Sequence, residues 1–207
     1  MDIKSDNLTE QAILAAAEKL FLEKGFALTS TTEIARVAGC NQALVHYYFR
    51  TKDKLFNAIF EKKARIFITS IFQTQQADAP FEEKLRQKIE VHFDMLRANP
   101  RLPFLFFNEL ITNPVRLLEL KKSLQDLPLS IILPLQAELE AEIAKGSIRP
   151  MTIYDLLITV LSLNVMLFLA SPVIKILANF TDEEFEKLVE RRKRENVILI
   201  LRSLRPE

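Results

Sequence analysis

Residues 30–52 read STTEIARVAGCNQALVHYYFRTK, enough for two short helices around a tight turn. Ser30, followed three places later by Glu33, has the spacing of a capping box, in which each side chain closes a free amide at the helix start. Ile34, Val37 and Ala38 form a short apolar stripe, and Gly39 supplies a left-handed residue that stops the helix. Cys40 follows, and Asn41 is a good N-cap for a second helix. The interval 38–41 therefore fits the turn of a helix-turn-helix pair. In the second helix Val45 and Phe49 lie four apart and face inward. Ala43, Leu44, His46 and Tyr47 then point outward, with Tyr48 at the margin. A soluble helix seldom exposes apolar and aromatic groups in this way unless that face meets something.

The flanks extend the unit in both directions. Thr51, Lys52 and Asp53 start another helix, since an acidic residue suits a first turn. Upstream, Asn7 and Glu10 repeat the capping-box spacing. Ile13, Ala16, Ala17, Leu20 and Phe21 then follow at the spacing of one buried stripe, and Gly25 ends that helix. Residues 7–50 thus read as a three-helix unit with a small core. So short a stretch buries too little apolar surface to be stable alone and needs the rest of the chain to lean on.

Several fixed intervals then agree with one family. Gly25-Phe26, Thr29-Ser30, Glu33-Ile34-Ala35, Ala38-Gly39 and Tyr47-Tyr48-Phe49 with Lys52 together resemble the TetR family of bacterial transcriptional regulators. The resemblance covers roughly the first 55 residues. It departs from the usual pattern at Cys40 and over Asn41-Gln42-Ala43-Leu44, on the base-reading face. It implies a DNA-binding head over residues 1–52 and a larger helical body for effector binding and dimerisation over 53–207. The fold class expected is therefore all-α. The resemblance also implies that the helix from Gln42 to Tyr48 enters the major groove.

The chemistry of the outward groups can be read position by position. Gln42 suits the N6 and N7 edge of adenine, and the side chains of Ala43 and Leu44, lacking polar atoms, suit a thymine methyl. Thr31, Thr32, Tyr47, Tyr48 and Lys52 suit the backbone, where contacts fix register without reading sequence, and the caps Ser30 and Asn41 are counted with them as DNA-binding candidates. His46 is read either as a DNA contact or as a solvated histidine. Tyr48 is read either as a DNA contact or as a core aromatic beside Phe49. Cys40 reads as a small hydrophobe or a redox-sensitive thiol; a lone cysteine forms no internal disulfide. Over residues 1–52 the basic Lys4, Lys19, Lys24, Arg36, Arg50 and Lys52 balance the acidic Asp2, Asp6, Glu10, Glu18, Glu23 and Glu33. DNA affinity usually leans on a basic footprint, so one head should bind poorly and two linked heads are needed.

The whole chain has 207 residues, a net charge of +1 and a composition near half hydrophobic, which is globular rather than disordered. There are only three glycines, at expected helix ends, and all nine prolines follow residue 79. No secretory leader is read at the N-terminus, and the single cysteine fits a reducing cytoplasm. Leu55, Phe56, Ile59, Phe60, Ile66, Phe67 and Ile71 make one long stripe; Leu85, Ile89, Phe93 and Leu96 make another. Shorter helices are expected near 102–112 and 114–126, then one from Pro128 to Gly146 carrying Ile131, Leu135, Leu139 and Ile143, then 151–170 and 182–204. Residues 156–174 hold no charge over about the length of a bilayer span, but Thr159, Ser162, Asn164, Ser171 and Pro172 interrupt them. Burial between subunits is the preferred reading over a membrane span. That agrees with the homodimer the resemblance implies, through helices 151–170 and 182–204. The run Arg191–Arg194 reads as the solvated face of the last helix.

Among the fifteen phenylalanines, Phe93, Phe104, Phe106, Phe107 and Phe168, with Met95 and Met166, read either as simple core or as walls of an apolar effector cavity, and His92, Asn108, Glu109 and Asn164 are its polar candidates. His92 also reads as part of a polar helix face with Glu90 and Asp94. The resemblance implies a hydrophobic small molecule that releases a repressor from a palindromic operator in double-stranded DNA. A constitutive or architectural DNA-binding dimer without an effector is the alternative. No catalytic residue, cofactor or metal is expected: there is no glycine-rich phosphate loop, no Cys/His cluster, and only two histidines.

Overall fold

The computed structural model of the chain describes residues 3–70, 78–125 and 127–206, and all their regular structure is helical. Ile71, the last residue of the first long stripe, lies outside them. Two compact units divide the chain: Met1–Arg65 with Phe104–Ser123, and Ile66–Pro103 with Leu124–Glu207.

The first unit begins with α1 (Ile3–Lys24), α2 (Thr31–Ala38) and α3 (Gln42–Phe49). The α1 stripe Ile13, Ala16, Ala17, Leu20 and Phe21 is buried, as its spacing requires. Asn7 is not a cap: α1 starts at Ile3, and the Asn7 Oδ1 accepts from Gln11 Nε2 at 2.7 Å within the helix. In α2 the buried pair is Ile34 and Ala35, while Val37 is exposed. The unit also holds most of α4 (Lys52–Ser70), α6 (Leu102–Thr112) and α7 (Pro114–Leu124). Leu55, Phe56, Ile59, Phe60 and Ala64 form the buried face of α4 within it. A run of rings packs through this core: Phe21 lies 4.9 Å and Phe26 5.0 Å from Phe56, Phe56 stacks on Phe60 at 5.3 Å, and Phe60 meets Phe106 at 4.8 Å. Edge and offset ring contacts of this kind add to the burial itself.

The second unit holds α5 (Phe81–Ala98), α8 (Leu127–Ala144), α9 (Ile153–Leu169), α10 (Ser171–Leu177) and α11 (Asp182–Ser203). Its core falls into two clusters. One gathers Leu85, Ile89, Leu139, Leu156, Val160 and Ile200; the other gathers Phe93, Leu96, Val165, Phe168, Phe185 and Val189. Full capping boxes, Thr152 with Asp155 and Thr181 with Glu184, begin α9 and α11. The uncharged run 156–174 is not one rod. Pro172 stands in the first turn of α10, and α9 and α10 meet at 56°. Proline cannot donate to the preceding turn and crowds it, so the helix restarts there. No single helix among the described residues is long and apolar enough to cross a membrane.

Candidate nucleic-acid interface

Backbone chemistry sets the two helices of the first unit at their turn. Ser30, in extended conformation, caps α2 by accepting from the Glu33 amide at 3.2 Å. The return half of the expected box is missing because the Glu33 carboxylate pairs with Lys24 instead. Gly39 ends α2 at φ 70°, ψ 28°, a left-handed conformation that glycine adopts without strain. Asn41 caps α3, its Oδ1 accepting from the Leu44 amide at 3.0 Å. At the far end Arg50 closes α3 with φ 63° and ψ −53°, and the Thr51 amide donates to Phe49 O at 2.6 Å. This is a γ-turn with positive φ, a strained form for a non-glycine residue.

On this frame α3 buries Val45, half-buries Leu44, Tyr48 and Phe49, and presents Gln42, Ala43, His46 and Tyr47 outward. Tyr47 is 68% exposed, its ring edge-on to Tyr48 at 5.1 Å. Ser30, Thr32 and Asn41 are exposed at the helix starts beside this face, with Thr31 half-buried. The hydrogen bonds knit α2 to α3. Gln42 Nε2 donates to Thr31 Oγ1 at 3.0 Å, and Thr32 Oγ1 donates to Gln42 Oε1 at 3.2 Å. His46 Nδ1 lies 3.3 Å from the Arg50 carbonyl, so that nitrogen carries the proton; its Nε2, 3.3 Å from Gln42 Nε2, then accepts. Both amide protons of Gln42 are thus engaged, and its free capacity is the remaining lone pair on Oε1. Lys52 is half-buried. Its Nζ donates to Phe26 O and Thr29 O, both at 3.0 Å, and lies 4.1 Å from the centre of the Phe26 ring. One of its three N–H groups is left for another partner. Cys40 is a half-buried free thiol.

The effector candidates divide between the two units. His92, Phe93, Asn164 and Phe168 are buried and Met95 half-buried in the second unit, with Phe93 and Phe168 edge-on at 5.2 Å. Phe104, Phe107 and Asn108 belong to the first unit and are exposed. The buried stripe of α6 is Leu105, Phe106 and Glu109, which turns positions 104, 107 and 108 outward.

His92 is no part of a polar helix face: it is fully buried, as are Asn164 and Asn196. These three form a ladder whose protons can be assigned from its donor-only end. Arg192 donates to Asn196 Oδ1 at 2.6 Å, so the Asn196 Nδ2 donates to Leu163 O at 2.9 Å and Asn164 Oδ1 at 3.0 Å. The Asn164 Nδ2 then spends its two protons on Ile89 O at 3.0 Å and His92 Nδ1 at 3.1 Å. His92 Nδ1 must therefore accept, which places the ring proton on Nε2. That buried N–H has no hydrogen-bond partner among the described residues. Burial pushes the His92 pKa down to about 4, keeping the ring neutral. Asn196 escaped the sequence reading, although it stands in register between Val189 and Ile200 on the buried stripe of α11. The basic run beside it is not simply solvated: Arg192 is committed to Asn196, and Lys193 donates to Asp94 at 2.7 Å.

Comparison with known proteins agrees with this geometry. Residues 13–59 match the family described as bacterial regulatory proteins, tetR family. The chain is similar to the HTH-type transcriptional activator FasR of Mycolicibacterium smegmatis, 23% identical over 103 residues, 49% of this chain and 47% of that protein. It is also similar to the fatty acid metabolism regulator protein of Bacillus subtilis, 28% identical over 90 residues, 44% of this chain and 46% of that one. The chain thus spans about half the length of these curated relatives. Among solved structures, the fold of HlyIIR, a hemolysin II transcriptional regulator, covers 98% of this chain and 99% of its own at a TM-score of 0.63 and 22% identity. Over residues 13–59 the chain thus carries the helix-turn-helix segment of the tetR family of bacterial regulatory proteins, and the curated relatives named are transcriptional regulators.

Proposed function

We propose that the chain is a cytoplasmic, dimeric repressor whose two α3 helices read a palindromic operator and which leaves that operator when a hydrophobic effector binds. The observation that carries this reading is the outward face of α3, where Gln42, Ala43, His46 and Tyr47 stand exposed on a rigidly capped helix. Residues 1–52 are the DNA-binding head, and residues 53–207 serve effector binding and dimerisation. Gln42, Ala43, Leu44 and His46 address base edges. The free lone pair of Gln42 Oε1 suits the N6 amino group of adenine, and Ala43 with Leu44 suits a thymine methyl. Ser30, Thr31, Thr32, Asn41, Tyr47, Tyr48 and the spare N–H of Lys52 hold phosphates.

Dimerisation falls to α9 and α11. Tyr154, Ile158 and Met166 on α9 and Ile198 and Leu199 on α11 are apolar groups left exposed in the single chain. The effector site is placed at His92, Phe93, Met95, Asn164 and Phe168. Its ligand pairs an apolar body with a carbonyl or carboxylate oxygen that accepts from the buried His92 Nε2–H. To act as a releaser it must favour the DNA-free arrangement. No catalytic role is assigned.

Footprinting on operators recovered by selection tests the reading. Gln42→Ala should relax sequence preference, whereas Tyr47→Ala should weaken binding to all sequences alike. A Gln42→Ala protein with the wild-type preference would remove α3 from base reading. Effector binding is checked by thermal shift: a ligand of the named class raises the midpoint and lowers operator affinity.

A further inference from the structure

Arg116 on α7 is 4% exposed, and it and Glu109 are the charged residues fully buried among those described. Its guanidinium lies over two rings that meet edge to face, 4.3 Å from the centre of Phe56 on α4 and 4.8 Å from that of Phe26 in the α1–α2 turn. Its edge is held by three further groups. Nε is 3.1 Å from the Glu109 carboxylate on α6, an ion pair that is not aligned as a hydrogen bond, Nη2 is 3.5 Å from Asp53, and Nη1 donates to Asn57 Oδ1, the last two residues on α4. Asn57 in turn donates to Glu119 of α7 at 3.0 Å. A planar, delocalised cation with donors in its own plane suits this slot, where a lysine would not. Phe26 also takes Lys52, whose two bonds to Phe26 O and Thr29 O hold the chain one residue ahead of the α2 cap. From that cap, Thr31 and Thr32 grip Gln42. Bounded contacts therefore run without a gap from α6 and α7 to the residue offered to bases, all within the first unit. The bounds of the two units fall inside α4, α6 and α7, so each of these helices continues into the second unit.

We infer that Arg116 is a positioning residue for DNA reading: it fixes the α1–α2 turn, and through Lys52 the start of α2, to α4, α6 and α7. The inference rests on the assignment of α3 as the reading helix. Contiguity alone does not demonstrate coupling, so the test measures coupling. Arg116→Met alone would strand the Glu109 charge, so it is paired with Glu109→Met, because an apolar replacement of a buried ion pair is commonly tolerated. The double variant should unfold near the wild-type midpoint. It should bind the selected operator about tenfold more weakly, the size of an ordinary coupling, with unchanged affinity for non-specific DNA. Amide exchange over residues 26–32 should quicken in the free protein. Should the double variant not fold, Arg116→Lys, which keeps the charge but loses the planar stack, must show the same split. Wild-type operator affinity in a folded variant, or equal loss on operator and non-specific DNA, overturns the inference. If the wild type selects no operator, the proposed function fails on that ground. The exchange arm still decides for Arg116, and unchanged protection over 26–32 refutes it.

Discussion

At the residue scale the reading head combines local order with one strained joint. Asn41, Ser30 and Gly39 sit where their chemistry is cheapest, and each was legible because capping depends on the residue and its immediate neighbours. Arg50 was not legible. Nothing in Phe49-Arg50-Thr51 announces a positive φ, which the closure from α3 into α4 imposes on a residue with a Cβ. Such strain is stored where surrounding structure over-determines it. Arg50→Gly should therefore stabilise the fold by about 1 kcal/mol after glycine's own entropy is counted, read from the midpoint of urea unfolding. A fall in stability would mean that the arginine is unstrained there. Gln42 shows the opposite limit of sequence reading. Its residue type suggested an adenine reader, yet only the folded pair of helices shows that Thr31, Thr32 and His46 hold its amide and leave one acceptor site.

At the element scale the helices were legible wherever an apolar stripe or a break was strong. The stripe of α1, the α6 and α7 pair divided by Pro114, and the cap at Gly146 follow from spacing and punctuation alone. The restart at Ala170 was not, because Pro172 within an apolar run reads equally as an interruption of one helix or the start of another. The polar ladder between α5, α9 and α11 was half legible: Asn164 stood out in apolar surroundings, whereas Asn196 and the burial of His92 needed the packing. That burial makes a pH prediction. The ring ordinarily titrates near 6.5 but only near 4 in the fold, so the unfolded chain takes up the proton first as pH falls. The contribution is whole above about pH 6.5 and drains away toward pH 4, amounting to about 3 kcal/mol. Denaturant unfolding at pH 7 and pH 4 should show this loss, and His92→Phe should flatten it; an equal slope in the variant would assign the loss to other groups. The cap of α11 gives a second test. Thr181→Ala removes the acceptor for the Glu184 amide and should lower stability by about 1 kcal/mol, seen as a fall of about 3 °C in the thermal midpoint.

At the scale of the whole molecule, residues 1–52 carry no net positive charge, so the proposed operator binding has to gain affinity from fit and from the proposed linkage of two copies. On the proposed reading, the apolar groups left outside α9 and α11 are the surface for that linkage. Ile158→Glu with Leu199→Glu changes exposed positions only, so the fold should persist while sedimentation reports a single chain and operator binding drops. A variant that sediments as the wild type would move the interface elsewhere. How the chain divides was the least legible feature: α6 and α7 rejoin the head's unit from far along the sequence through Arg116 and Phe106, contacts that no local pattern announces. The most direct measurement is selection of bound duplexes from random DNA by the full-length protein, followed by sequencing. The account predicts enrichment of two symmetry-related half-sites, spaced by about one helical turn or a small multiple of it, with the preference relaxed for Gln42→Ala. A pool that stays random, or an enriched site without two-fold symmetry, would contradict it.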